Sequence, residues 1–532
     1  MRIRAVPRRA RVVVAIAALA VAVPGPALGA AGWGPATPAG DSYATTSDSF
    51  VVAAGTSGAT FTPLINSGET AFGTLFEGIP DGIGVVPAPA PLGYVDLYVN
   101  HEQSRVPFGG FADFNDSSVS RVRVDVATKE ILDLDVALSS DEGFIRFCSS
   151  FMAGPEQGFP HYTLLTNEES NDPLAVPAGA VYGADPAYGG ANVRQAGYSV
   201  YLDTANGKLG VLAGAGRHNH ENQVIVPGGW SGIVSLSGDD TFTFPSTPER
   251  PNLSQLYAFS SQNWQQFQRD NGALWAFRVT GTQDGAVDPE DPFNGANDFF
   301  DIAPGDDFTG EFIEVDPAVA RGQTADLPQD ALEDWSNANN VFQFVRVEDI
   351  AYDPDDPRTV YFADTGNSRL VDPGTGRLYR APTNPPGNLS SAGRIFKLVM
   401  NADDPTVVDS FSVVLDAATI GMRSPDNVAV SHATLMVQED TSSFSKIWAY
   451  SLTAGTWTHI ATGTQQPAET SGIVDVSQWF GDGWWALDVQ SHQNLDGAMP
   501  GQVYAGPGPS NGVTYTARRE LGQLLLMHVP GS

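Results

Sequence analysis

A short apolar run that ends in polar or acidic residues recurs six times along this chain. The copies are "LYVNHE" (Leu97–Glu102), "LLTNEE" (Leu164–Glu169), "VSLSGDD" (Val234–Asp240), "VYFADTG" (Val360–Gly366), "LMVQED" (Leu435–Asp440) and "WALDVQSH" (Trp485–His492). A second phrase precedes each copy: a polar or acidic residue leading into a β-branched or apolar run. It reads "PDGIGVV" from Pro80, "FCSSFMA" from Phe147, "HENQVIV" from His220, "VEDIAYD" from Val347, "PDNVAVS" from Pro425 and "ETSGIVDVS" from Glu469. Turn signals such as "DPDDPRT" and "GDG" separate the two phrases in several copies. A third run often follows, as in "RIFKLVM", "KIWAYSL" and "LWAFRVT". Strand, turn, strand, loop, strand, six times over, predicts an all-β fold, a six-bladed β-propeller. The 56 glycines and 38 prolines, with hardly any helical periodicity, agree. A pair of β-sandwiches or a β-helix is the alternative. Copy spacing is uneven, and the excess sits in insertions such as Asp288–Phe312.

The first residues decide the expected compartment. "MRIRAVPRRAR" carries five arginines and no acid, "VVVAIAALAVAV" is apolar, and small residues follow. This is the pattern of a signal peptide over residues 1–30, which leaves 31–532 as a single propeller domain. The apolar run falls short of the ~20 residues that span a bilayer. Arg8-Arg9 leaves the twin-arginine and general secretion routes both open. An uncleaved amphipathic tail is the alternative. The chain is thus expected to be secreted, without stable membrane insertion, as a monomer. Its net charge is -33, and the leader's arginines account for part of the basic complement. That excess of acid argues against nucleic acid as a partner and suits a protein that binds cations. One cysteine, Cys148, excludes an internal disulfide.

In a propeller the first strand of each blade lines the axis. If the second phrase marks those strands, Asp81, Cys148, Glu221, Glu348, Asp426 and Glu469 face one another around one opening. Crowded carboxylates repel and raise one another's pKa, so such a ring calls for cations. Oxygen ligands suit Ca2+, and a thiolate among them suits a transition metal. A buried core cysteine is the plainer reading of Cys148. Arg346 stands two residues before Glu348, so on a strand both side chains point one way. A cation beside a carboxylate–metal site is what an anion bridging to metal needs. A simple Arg–Glu salt bridge would give the same pattern. Neither G-x-S-x-G, nor H-E-x-x-H, nor a P-loop occurs.

Taken in order, "IPDGIG", "YVNHE", "CSS…LLTNEES", "GRHNHENQ", "FVRVEDIAYDP", "SPDNVAVS…LMVQED" and "ETSG…WALDVQSH" resemble the PhoX-type alkaline phosphatases, secreted bacterial six-bladed propellers. The resemblance implies hydrolysis of phosphate monoesters at a cluster of two ferric ions (Fe3+) and three calcium ions (Ca2+) bridged by an oxo group. It implies Cys148, Glu169, Glu221, Glu348, Asp426 and Glu469 as metal ligands and Arg346 as the phosphate binder. Asn167 replaces the second cysteine of the family's "CEE" stretch, and the segment between Cys148 and Glu169 is longer than usual. No lysine falls in a motif matching the family's phosphate-binding lysine. The expected activity is that of a secreted phosphatase acting on a small phosphorylated substrate. Two other readings stay open: a calcium-dependent, lactonase- or phytase-like propeller hydrolase without iron, and a non-catalytic, calcium-stabilised binding propeller.

Overall fold

The computed structural model describes residues 41–88, 92–102, 116–241, 254–380, 386–441, 443–466, 468–494, 503–504, 515–516 and 520–532. The expected signal peptide, 1–30, lies outside the described residues. Strands dominate, and the longest described helix is Pro328–Ala338. No described helix is long and apolar enough to cross a membrane.

The strands group into six antiparallel four-stranded units among the described residues. Each unit opens with one of six strands: β1 (Pro80–Pro87), β2 (Phe147–Ala153), β3 (His220–Ile225), β4 (Val347–Asp353), β5 (Pro425–Val430) and β6 (Glu469–Asp475). Each is followed by the strand that carries the acid-tailed phrase: Tyr94–His101, Thr163–Glu168, Ile233–Asp239, Asp356–Asp364, Thr434–Glu439 and Trp484–Asn494. β1 lies beside β2, β2 beside β3, and so on until β6 returns to β1, which closes a ring. This is a propeller-type fold.

The sixth unit is assembled from both ends of the chain. Its outer strand is Thr60–Asn66, paired antiparallel with Glu520–His528. A second early strand, Val51–Ala53, extends the fifth unit through Thr456–Gly463. Units three and four are joined into one sheet by Asp307–Glu314, which bridges Ala273–Thr282 and Val407–Asp416. Most of the Asp288–Phe312 insertion is loop, and its last residues build that bridge. "LWAFRVT" proves to be the fourth strand of its unit, because Leu256–Ser261 comes between.

Each large hydrophobic cluster sits between two consecutive units. Leu97 and Val122 of the first unit pack with Ala486 and Leu524 of the sixth. Tyr361 and Ile395 of the fourth pack with Val437 and Trp448 of the fifth. Strands such as Thr163–Glu168 and Ile233–Asp239 are therefore buried along their whole length. Both faces of a sheet are covered, so apolar–polar alternation is lost. Each fully buried Leu or Ile contributes roughly 1.5–3 kcal/mol over an exposed one.

A candidate metal centre at one mouth of the axis

The first and second strands of every unit are joined by the same irregularity. Pro80 pairs with His101 and Ile83 with Val99, so three steps on β1 face two on its partner. The same three-against-two bulge follows Phe147, His220, Val347 and Pro425. A bulge bends its strand and re-aims side chains. The first bulged residues are Asp81, Cys148, Glu221, Glu348 and Asp426, the residues singled out in the sequence. The second-strand residues just past the pairing are Glu102, Glu169, Asp240, Thr365 and Asp440.

Unit six breaks the phase. Its bulge lies between Ser471 and Val474, so Gly472 holds the first bulged position. Gly472 has φ +60, and a Cβ there would lie 2.5 Å from the Asp81 carbonyl oxygen. The close approach of β1 demands glycine at this point. Glu469 instead pairs with Gln490 at the start of β6 and is half-buried. Its charge still reaches Asp426.

The remaining predicted ligands converge. Three groups bring ligand atoms within 4.8 Å of one another: Asp81, Glu102 and Cys148; Cys148, Glu169 and Glu221; Glu221, Glu348 and Asp426. Cys148 belongs to the first two groups and Glu221 to the last two. The groups therefore form one chain of adjoining sites. Asp81 belongs to the ring read from the sequence, though not to the ligands that the resemblance implies, and Glu102 and Asp240 are additions to both. Their signal was present in the two "NHE" stretches and in the tail of "VSLSGDD".

Burial raises the Asp81 carboxyl to about 7, with Glu102 adding to the shift. Burial also pushes Glu221 well up, helped by Glu348 and Glu169. Asp426 rises for the same reason, with Glu348 next in effect. The Cys148 thiol is raised by burial and then by Asp81 and Glu221. It donates to Asp81 Oδ2 at 3.1 Å. Glu221 Oε2 and both oxygens of fully buried Asp488 have no hydrogen-bond partner among the described residues. Buried acceptors without partners are costly, and like charges this close do not ionise together without a counter-charge. The donor set therefore fits cations: carboxylate oxygens throughout, with one thiol at the junction of two groups.

Two arginines stand at the edge. Arg346 donates from Nε to Asp240 Oδ1 at 2.7 Å and from Nη2 to Asp240 Oδ2 at 2.5 Å. Its Nη2 also lies 3.2 Å from Glu348 Oε1. Burial pulls this guanidinium's pKa down, but Asp240 and Glu348 more than offset that and keep it charged. Arg146 was not expected from the sequence. Its Nη2 lies 3.1 Å from Glu102 and 3.2 Å from Glu169. It precedes Cys148 by two residues, the offset at which Arg346 precedes Glu348. That repeated offset, "RFC" beside "RVE", is the signal that marks it.

Hydrogen bonds fix the carboxylates from below. Ser149 donates to Glu221 Oε1 and accepts from Asn427 Nδ2 at 3.1 Å. Ser471 Oγ lies 2.6 Å from Asp81 Oδ1 and 2.9 Å from Asn427 Oδ1. Gln490 donates to Asp81 Oδ2 at 2.8 Å, and Thr365 donates to Glu348 Oε1. Asn167 donates to the Glu221 carbonyl at 2.9 Å.

Fold and site together define a propeller-type protein with a cluster of candidate metal ligands at one mouth. The family model described as alkaline phosphatase PhoX matches residues 158–476, more than half of the chain. The chain belongs to that family and is a phosphatase. The match spans Glu169, Glu221, Arg346, Glu348, Asp426 and Glu469, and begins after Cys148. Among solved structures, the chain is similar to Pseudomonas fluorescens PhoX in complex with vanadate, a transition state analogue. The TM-score is 0.56 and the identity 15%, over 89% of this chain and 95% of that one. It is also similar to the PQQ-bound aldose sugar dehydrogenase of Streptomyces coelicolor, with TM-score 0.31 and 11% identity over 89% and 100% of the chains. No curated protein sequence matches it.

Proposed function

We propose that this chain is a secreted phosphatase that hydrolyses small phosphate monoesters with iron and calcium held by the axial cluster. The observation that carries this reading is the chain of three adjoining ligand groups with an arginine at each end. Cys148, Glu169 and Glu221 suit iron, because a soft thiolate there joins two carboxylates. Glu221, Glu348 and Asp426 offer oxygen alone, which suits Ca2+. Asp81 and Glu102 extend the first group, and Glu469 supports Asp426 from outside. Bound metal supplies Lewis acidity toward a phosphoryl oxygen.

The chain's own residues do the rest. Asp240 clamps the Arg346 guanidinium through two parallel hydrogen bonds, so its plane is set before substrate arrives. Thus oriented, Arg346 meets the charge that builds on the equatorial phosphoryl oxygens. Arg146 supplies a second cation, in the role for which the sequence offers no matching lysine. The leader-like first residues support secretion, and closure of the ring within one chain supports a monomer.

Elemental analysis of the purified protein, paired with hydrolysis of 4-nitrophenyl phosphate, tests the reading. Iron and calcium together, with a thiolate-to-Fe3+ charge-transfer band that Cys148→Ser abolishes, are expected. Calcium without iron in an active enzyme would overturn the iron assignment.

A further inference from the structure

The strands that begin in the acid cluster end in a second chamber. A cavity of about 410 Å³ opens at the opposite mouth of the axis, and all six first strands reach it. Its size is that of a small-molecule site. Val85, Met152, Tyr352, Val430, Val474 and Trp479 give it an apolar wall, all but Val85 only half-buried, and Glu156, Gln157, Asp475 and Gln478 add polar groups to the lining.

The floor is polar and consists of Ser150, Asn222 and Asp349. Asp349 is already satisfied. Its Oδ2 accepts from Val428 N at 2.9 Å, and its Oδ1 accepts from Ile350 N at 2.7 Å and from Asn222 Nδ2. That last bond fixes the orientation of the Asn222 amide, because a carboxylate bound in this way accepts and does not donate. The Asn222 Oδ1 is left without a partner, although the residue is only 4% exposed. Ser150 Oγ is likewise buried and unpartnered. An unmet buried acceptor costs roughly 1–3 kcal/mol, so a ligand hydroxyl that parts the floor enough to donate to it gains what the fold leaves unmet.

We propose that this chamber is a second binding site, for an uncharged amphiphile with a hydroxyl head. The apolar body lies along the walls. The hydroxyl donates to Asn222 Oδ1 and pairs with Ser150 Oγ. Asp349 sits in the floor, and Glu156 and Asp475 also line the chamber. An anionic head would meet these acids, so phosphorylated substrates and carboxylates are disfavoured. The site is thus distinct from the hydrolytic one and stands whichever metals that one holds.

Calorimetric titration of the metal-loaded enzyme with 1-octanol, octanoate and 1-methoxyheptane tests this. One equivalent of 1-octanol should bind saturably. Octanoate carries the charge, and the ether lacks the donor proton, so each should bind at least roughly tenfold more weakly. Val430→Trp fills the chamber and should abolish octanol binding, with hydrolysis of 4-nitrophenyl phosphate within about twofold of wild type. Trp479→Ala removes a wall and should weaken binding roughly tenfold, which keeps the test intact if the larger side chain prevents folding. Absence of saturable octanol binding, equal binding of octanoate or the ether, or unchanged binding in a folded variant would overturn the proposal.

Discussion

Arg346 and Arg146 occupy the same offset before a bulged ligand, yet their partners give them different duties. Arg346 is clamped along one edge, through Nε and Nη2, by both oxygens of Asp240, and in the proposed role this pre-sets it for charge that appears only in the transition state. Arg346→Ala should lower kcat by about 10²–10³-fold. Metal content by elemental analysis should hold, because Arg346 is no ligand. Arg346→Lys should recover little, since an ammonium cannot make the two parallel bonds. Arg146 is more open, with 32% of its side chain exposed. Its removal should act on binding, raising KM about tenfold with a smaller effect on kcat. Ser149 donates to Glu221, the residue shared by two ligand groups. Ser149→Ala should weaken metal retention about 10–100-fold in a chelator competition. Unchanged retention would show that Glu221 is held by other means.

At the scale of the strand, the bulge is the unit of construction. It turns the first residue past the pairing into the axis, and it does so at equivalent positions in five units. The sequence phrases were visible because five of the six bulges set a polar or acidic residue at that point, next to an apolar run. What the phrases could not reveal is register. In "ETSG" the acid and the glycine are both good candidates for the inward position, and only the pairing of Ser471 with Asp488 decides for glycine. Glu469 was therefore placed in phase by its chemistry and is shifted by the pairing. Asp240 and Glu102 were legible as strand tails, but their alignment with the ligands appears only once the sheets are closed. The closing strand had no phrase at all, because Thr60–Asn66 lines no channel. Its Leu64 and Ile65 are fully buried, and Leu64 packs between the first and last units. Leu64→Ala should cost about 2–5 kcal/mol, read as a shift in denaturant midpoint.

Across the whole molecule, the acid cluster ties folding to metal and to pH. Burial raises Asp81 from the ordinary carboxylate range to about 7, and Glu221, Glu348 and Asp426 are all pushed upward. A metal-free fold then binds more protons here than the unfolded chain does, so its stability falls as pH rises. The neutral forms cost little below the unfolded pKa near 4. The penalty grows as pH climbs and is complete for Asp81 above its folded value of about 7. That single shift corresponds to an order of 4 kcal/mol. Metal reverses the sign, because cations favour the ionised ligands and their binding releases protons. Chelated protein should therefore lose Tm steadily between about pH 4 and pH 8. The metal-loaded enzyme should hold or gain Tm over the same range, with the gap widest on the alkaline side. Parallel thermal melts of the two forms across that range decide it. Curves that run together would mean that the carboxylates are neutralised by protons alone and that the cluster holds no metal.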